Sequence, residues 1–292
     1  MEGTGLDCPS PMPRIVSFLP AGTEIVAALG AGDQLVGRSH ECDYPASVQK
    51  LPVVSRPALD LGGLSQAEID GAVSARLRSG ESLYLVDEDL LRTLEPDVIL
   101  TQDLCQVCAP SGNELSRAIT TLPTKPEVLY LTPRTLAEID DNIIAVGRAI
   151  GREREALALV ASNRARLEAV RAATRDRPRR RVVFLEWTDP FYCAGHWVPE
   201  MIEIAGGEDP FGRPGGDSVR IDLESVRAFE PEIVVVAPCG FGLGDAERLA
   251  AELAEIRGAR TEPVDANAYF ARPGPRYADG VEVLAEIFRA TG

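Results

Sequence analysis

The sequence of 292 residues contains no run of about 18 apolar residues, the length that a helix needs to cross a bilayer. No transmembrane helix is therefore expected. Residues 1–13 carry acidic side chains and three prolines and lack an apolar centre, so they do not match a secretory leader. The sequence thus predicts a cytoplasmic protein, with a periplasmic or cell-surface protein as the alternative if a leader has been removed.

Positive charge is scarce. Lysine and arginine together number 30, and only Lys50 and Lys125 are lysines, against 45 acidic residues, for a net charge of −15. Nucleic acids and anionic membrane surfaces attract basic proteins. The composition therefore argues against nucleic acid as a partner, and the lack of apolar runs argues against membrane insertion.

Familiar catalytic motifs are also missing. The sequence has no Walker loop, no Gly-x-Gly-x-x-Gly after a strand and no Gly-x-Ser-x-Gly elbow. Glu41, Glu186 and His40 would suit acid–base chemistry if they converge in the fold. Scattered acids in so acidic a chain are weak support for catalysis, so binding is the favoured class and an enzyme the less favoured one.

What is present is an alternation of apolar strands and helices. Residues 14–133 form one such series and residues 177–292 a second, and the segment between them, 134–176, is helical throughout. At about 1.5 Å per residue, a single helix here would be close to 55 Å long. The pattern predicts an α/β fold of two Rossmann-like lobes joined by one long helix.

The two series repeat each other. Residues 94–100 and 229–235 both read as a helix end, a proline turn and a buried strand. Shared α/β patterning explains this in part, but the common order of elements favours two lobes of like fold. In such sheets, ligands bind beyond the carboxyl ends of the strands. A ligand between facing lobes would therefore contact the loops that follow each strand.

Residues 14–24, RIVSFLPAGTE, resemble the opening of the vitamin B12-binding, BtuF-like substrate-binding proteins of ABC transporters. The similarity continues in the same order at residues 36–39, 43–45, 51–54, 95–99 and 269–276. This resemblance implies the class III periplasmic-binding-protein fold, with two lobes and one rigid connecting helix. It also implies that a corrinoid, haem, siderophore or metal ion is bound in the cleft for delivery to an ABC permease, if the protein is exported.

The resemblance places individual residues at the cleft. Tyr44 follows the family's cleft aromatic, Phe191 its second-lobe aromatic, and Arg272 its C-terminal cleft loop. Arg56 stands where typical B12 binders present a tryptophan. The loop 40–45 replaces a simpler one and residues 105–108 add a Cys-x-x-Cys, features that resemble a cytosolic branch of the family.

An aromatic loop in the second lobe is a second candidate ligand wall. Residues 186–197 hold both tryptophans of the chain directly after a predicted strand. Aromatic faces suit a flat macrocycle. The candidate contacts are Trp187, Tyr192, His196 and Trp197, beside Phe191. The alternative is a small core beneath the loop, with Trp197 anchoring the next helix.

Four residues form a candidate metal site in the first lobe. His40 and Cys42 form one segment and Cys105 and Cys108 the other, and both segments follow predicted strands. A Cys3His set binds zinc or iron in a cluster. A redox dithiol and inert thiols are the alternatives. A further alternative is that the metal of a corrinoid or haem takes its axial ligand from this chain, namely His40, Cys42 or His196.

Two functions follow. The first is non-catalytic binding of cobalamin, another corrinoid or a similar metal chelate between the lobes, with little lobe movement because the connecting helix is stiff. The second is a cytosolic metalloprotein or enzyme with a His/Cys-ligated zinc or iron–sulfur site that acts on a small molecule.

Overall fold

The computed structural model describes residues 12–102, 113–253, 256 and 258–290. The first lobe is built on a six-stranded sheet in the order β4-β3-β2-β1-β5-β6. Its strands are β1 (Ile15–Ser17), β2 (Leu35–Ser39), β3 (Val53–Pro57), β4 (Tyr84–Val86), β5 (Val98–Thr101) and β6 (Glu127–Tyr130). All neighbours are parallel except β4, which runs antiparallel to β3.

Helices connect these strands. They are α1 (Pro20–Ala28), α2 (Gln66–Arg78), α3 (Glu88–Leu94) and α4 (Asn113–Thr120). Pro20 starts α1, since proline at the first helical position loses no hydrogen bond. The α2 helix begins with a capping box in which the side chain of Ser65 and that of Glu68 each accept from the other's main-chain N–H.

The connecting segment is two helices, α5 (Leu136–Ala149) and α6 (Glu153–Thr174). The prediction of one long helix is wrong at residues 150–152, where Gly151 adopts φ +70° and ends the helical path. The two helices then pack against each other. A Cβ on Gly147 would lie 2.5 Å from that of Ala156, so only glycine permits this approach.

The second lobe has a sheet in the order β11-β10-β7-β8, with β9 beside β7. Its strands are β7 (Arg180–Thr188), β8 (Phe191–Cys193), β9 (Gly207–Glu208), β10 (Ile233–Val236) and β11 (Arg260–Pro263). Its helices are α7 (Val198–Ala205), α8 (Leu223–Phe229), α9 (Leu243–Glu252), α10 (Ala266–Tyr269) and α11 (Tyr277–Arg289). Two α/β lobes are therefore present, as the sequence predicts.

One hydrophobic cluster runs through both lobes. It joins Ile15 and Ile25 of the first lobe to Phe184 and Leu284 of the second through Ile143 of α5 and its neighbours. The α5 helix packs on α1, and α6 packs on α7 and α11. Because apolar burial is the main stabilising term in folding, this shared cluster resists separation of the lobes.

Among the helices of the described residues, none has the length and apolar character needed to cross a membrane.

Candidate functional site

The lobes meet where residues after β1 and β2 face the loop 272–276 of the second lobe. At the centre is Glu24 of α1, whose side chain is 2% exposed. Arg276 donates from Nε and Nη2 to the two Glu24 carboxylate oxygens, at 2.8 and 2.7 Å. Gly274 lies beside Ala21 and Glu24, so the loop sits directly on α1. We name this site the interlobe charge cluster. Its members are Glu24, Asp43, Tyr44, Arg272 and Arg276.

Arg272 completes the cluster. Its Nη1 donates to Asp43 Oδ1 at 2.5 Å and lies 3.4 Å from Glu24 Oε1, and its Nη2 donates to the carbonyl of Glu41 at 3.2 Å. Burial alone would raise the pKa of Asp43, but the hydrogen bond and charge of Arg272 outweigh it and hold that pKa below its usual value. Two guanidiniums and two carboxylates thus balance each other.

Tyr44 forms the outer face of this cluster. The guanidinium of Arg276 lies 4.1 Å from the centroid of its ring, a cation–π contact. The ring is nevertheless 48% exposed, although large aromatic surfaces are usually covered. Tyr44 therefore presents an aromatic face beside the interlobe charge cluster, as the resemblance implies for a cleft aromatic.

A second bridge between the lobes comes from α2. The Gln66 Oε1 accepts from the main-chain N–H of Thr188 at 2.8 Å and from its hydroxyl at 2.5 Å. One turn further, Asp70 pairs with Arg220 at 2.6 Å and accepts from the hydroxyl of Tyr192 at 3.3 Å. Thr188 ends β7, so α2 reaches the carboxyl edge of the second sheet, where ligands of such sheets bind.

The structure separates the second-lobe aromatics by environment. Trp187, near the carboxyl end of β7, is half-buried, donates its indole N–H to the Asp189 carbonyl and packs edge-on against Phe241. Phe191 packs on the core cluster of its own lobe. Tyr192 accepts from Arg220 at 2.9 Å and lies in the α2 bridge.

The other two residues of the loop lie differently. Trp197 is 6% exposed and donates its indole N–H to the Phe270 carbonyl, so it serves the shared core, the alternative noted for it above. The ring of His196 lies beside that of Trp197 at a tilt of 32°, and its Nε2 is 3.5 Å from Asp217. Burial, with the nearby charge of Arg134, lowers the pKa of His196.

Arg56 lies on β3, not in the loop after it, and its exposed side chain is 3.9 Å from Asp87. It stands apart from the interlobe charge cluster. Nothing in the structure brings it to Tyr44 or Arg272, and its role as a ligand contact stays a prediction.

The candidate metal site is described only in part, because Cys105 and Cys108 lie outside the described residues. His40 has both ring nitrogens engaged, Nδ1 with the Ser55 carbonyl at 3.1 Å and Nε2 with Glu41 at 3.1 Å. Within the described ranges, no group of three or more His, Cys, Asp or Glu side chains is arranged to hold a metal ion.

Cys42 is built into the first-lobe core. Its thiol is 0% exposed, accepts from the Thr23 hydroxyl at 3.0 Å, and has its pKa raised to about 11 by burial. A metal ligand must be a thiolate. The surroundings of Cys42 favour the neutral thiol when no metal ion is bound, and its role as a metal ligand stays a prediction.

Sequence reasoning missed several residues of this interface. Glu24 had a signal, since a carboxylate inside the otherwise apolar segment of α1 calls for a buried cation. Gln66 and Asp70 are four residues apart and share a helix face, and the Ser-x-x-Glu capping box at residues 65–68 could have located their helix. No local pattern marks Arg220 as their partner, because it is 150 residues away from Asp70.

Comparison with known proteins agrees with this architecture. A family model for periplasmic binding proteins matches residues 15–260. The chain is 26% identical over 282 residues to a vitamin B12-binding protein of Vibrio vulnificus (strain CMCP6), which covers 96% of this chain and 91% of that protein.

Solved structures share the fold. The periplasmic vitamin B12-binding protein BtuF of Vibrio cholerae is similar at a TM-score of 0.66 and 22% identity, covering 96% of this chain and 99% of that one. The periplasmic haem-binding protein RhuT from Roseiflexus sp. RS-1 is similar at a TM-score of 0.70 and 21% identity, covering 95% and 98%. The predicted class III architecture is confirmed, apart from the break in its connecting helix.

Proposed function

This chain belongs to the periplasmic binding protein family, and we propose that it binds a corrinoid or a similar metal chelate without net negative charge in the cleft between its lobes, with no chemical change to the ligand. The observation that carries the proposal is the charge balance of the interlobe charge cluster. Relatives named for B12 and for haem both occur, and this balance distinguishes the two ligand classes.

The balance leaves no cation of the cluster ready for an anionic ligand. Among the described residues, three arginines of the second lobe reach carboxylates of the first. Arg272 and Arg276 share the buried Glu24, and Arg272 also meets Asp43. Arg220 meets Asp70 at a partly solvated surface. Haem carries two carboxylate side chains, and a salt bridge from either of them to Arg272 or Arg276 would take that guanidinium from the buried Glu24. Breaking a buried ion pair by removing one partner costs about 3–5 kcal/mol.

A corrinoid does not meet this obstacle. Its macrocycle is flat and its peripheral amides are neutral donors and acceptors. Aromatic faces and neutral hydrogen-bonding groups suit such a ligand. The exposed ring of Tyr44 lies in the loop after β2, and the half-buried ring of Trp187 lies near the carboxyl end of β7. These two rings would supply those faces.

Delivery of the ligand to an ABC permease is part of the proposal, in line with the resemblance of the chain to transporter components. Delivery requires export, which the cytoplasmic prediction does not provide. Cell fractionation with an antibody to the native protein tests which location holds.

The test of binding is a titration of the purified protein with cyanocobalamin, followed by the visible absorption of the corrin. We expect saturable one-to-one binding, weakened roughly tenfold in each of Tyr44→Ala and Trp187→Ala, because an aromatic contact and its buried area are lost. Leu157→Ala, at an exposed position of α6, is the control and should bind as wild type. Absence of binding, or equal affinity in all four proteins, would contradict the proposal.

A further inference from the structure

The α2 helix is the least anchored element at the cleft. It lies in an excursion, residues 58–83, between the antiparallel neighbours β3 and β4. None of the three hydrophobic clusters found among the described residues includes a side chain of α2. Gln66 is the single buried residue of its 13. A helix without a buried apolar face gains little from tertiary packing, which supplies most helical stability in proteins.

The contacts that α2 makes with the second lobe are polar and concentrated on one face. Gln66 holds Thr188, and Asp70 holds Arg220 and Tyr192, at the distances given above. The Asp70–Arg220 pair is partly solvated and therefore weak, and each buried hydrogen bond of Gln66 contributes only about 0.5–1.5 kcal/mol net. The α2 helix can therefore leave the second lobe at far lower cost than the lobes can part from their shared core.

Both ends of α2 allow such a movement. Gly63, before the helix, has φ +77°, and Gly80, after it, has φ +72°. Glycine enters and leaves this region of backbone space with little steric cost. The helix is thus a rigid unit of about four turns between two adaptable residues.

Gln66 carries an unused donor. The main-chain N–H of Thr188 can only donate, so the Gln66 atom that it contacts must be the oxygen, Oε1. The other end of the carboxamide is therefore the NH2 group. That Nε2 is buried and has no acceptor among the described residues. Buried donors are normally paired, and an unpaired one needs an explanation.

We propose that α2 is a clasp that swings off the second lobe to admit the ligand, and that in the closed state Gln66 donates its NH2 group to an acceptor on that ligand. For a corrinoid the acceptor is an amide carbonyl. The ligand contact rests on the proposed function, whereas the movement of α2 does not. The lobes share one core and their interface is closed, so they cannot part easily to admit a ligand. Displacement of α2 opens a route into the cleft without separating the lobes.

Hydrogen exchange tests the movement without any ligand. Amides of residues 69–78 should exchange faster than those of β5, and Asp70→Arg should speed them by a further five- to tenfold, roughly, by opposing two positive charges. The charge exchange Asp70→Arg with Arg220→Asp should restore the wild-type rate. Asp89→Arg, the same charge change at an exposed position of α3, is the matched control.

Gln66→Met provides a variant that leaves every charge in place, in case Asp70→Arg does not fold. It removes both bonds to Thr188 and should also speed exchange in α2. Exchange in α2 as slow as in β5, and unchanged in these variants, would overturn the clasp.

Titration with cyanocobalamin at pH 8 tests the ligand contact. Gln66→Glu keeps an oxygen for Thr188 but lacks the NH2 donor, so it should leave α2 exchange unchanged and weaken binding by roughly tenfold or more. Equal affinity in wild type and Gln66→Glu would overturn the contact. If wild type binds no cyanocobalamin, the proposed function fails and the ligand contact with it, while the exchange rates still decide the clasp.

Discussion

Arg276 donates two hydrogen bonds to Glu24 across the boundary between the lobes, and the Glu24 side chain is 2% exposed. The pair is thus a desolvated, two-pronged ion pair, the geometry in which arginine and carboxylate interact most strongly. It ties the C-terminal loop of the second lobe to the first helix of the chain.

Removing the arginine of this pair should destabilise the protein. Arg276→Ala leaves Glu24 buried with only the longer contact to Arg272, so we expect a loss of about 3–5 kcal/mol in the free energy of unfolding. Urea denaturation measures it. Arg276→Lys, which keeps the charge but not the two-pronged geometry, should lose less. A loss below about 0.5 kcal/mol in Arg276→Ala would place the pair among ordinary surface ion pairs.

Asp209 should make stability fall as pH rises. Burial raises its pKa to about 6, although main-chain N–H groups of Phe184, Phe211 and Gly212 donate to it. A carboxyl with a raised folded-state pKa favours folding while protonated, so its contribution is full below about pH 4 and is lost as pH rises through 6.

The Asn variant isolates this effect. Between pH 4 and 7, the free energy of unfolding of wild type should fall by about 1–2 kcal/mol relative to Asp209→Asn, after allowance for partial solvation. Urea titrations of both proteins at each pH measure the difference. Parallel curves for the two proteins would show that Asp209 titrates normally.

Cys42 should resist alkylation. At pH 8 a thiol with a pKa of about 11 is almost wholly protonated, and only the thiolate reacts. We expect its reaction with iodoacetamide to be at least about 100-fold slower than that of the exposed Cys239, as followed by peptide mass spectrometry. Comparable rates would mean that Cys42 is accessible and ionised, as a metal ligand would need to be.

The lobes should barely move on binding. Because one apolar cluster spans both, the radius of gyration with and without cyanocobalamin should differ by less than about 1 Å in small-angle scattering. A marked compaction would show that the shared core opens, and that the clasp is not the main moving part.

Sequence patterns predicted the sheets well because buried parallel strands are continuous apolar runs. Residues 98–101 and 233–236 stand out for that reason, and each lies between two parallel neighbours in its sheet. The connecting helix was predicted too long because apolar spacing continues through residue 150, and a single glycine decides the break. The α2 helix escaped notice because it lacks an apolar stripe.

The site was predictable only where a local motif marks it. Tyr44 and Arg272 lie in the interlobe charge cluster, and the resemblance alone pointed to both. Arg272 meets Glu24, which is 248 residues away in the sequence, and no pattern in a single sequence reveals a pairing over such a separation. The same holds for Trp197, since a cleft wall and a core anchor share one aromatic signature and only burial separates them.

The most direct test of the central claim, a cleft suited to a chelate without negative charge, is equilibrium dialysis of the wild-type protein against cyanocobalamin and haemin at pH 7.5. The paired arginines predict that cyanocobalamin binds at least about 100-fold more tightly, as the cost of breaking one buried ion pair implies. Equal or tighter binding of haemin would contradict the account.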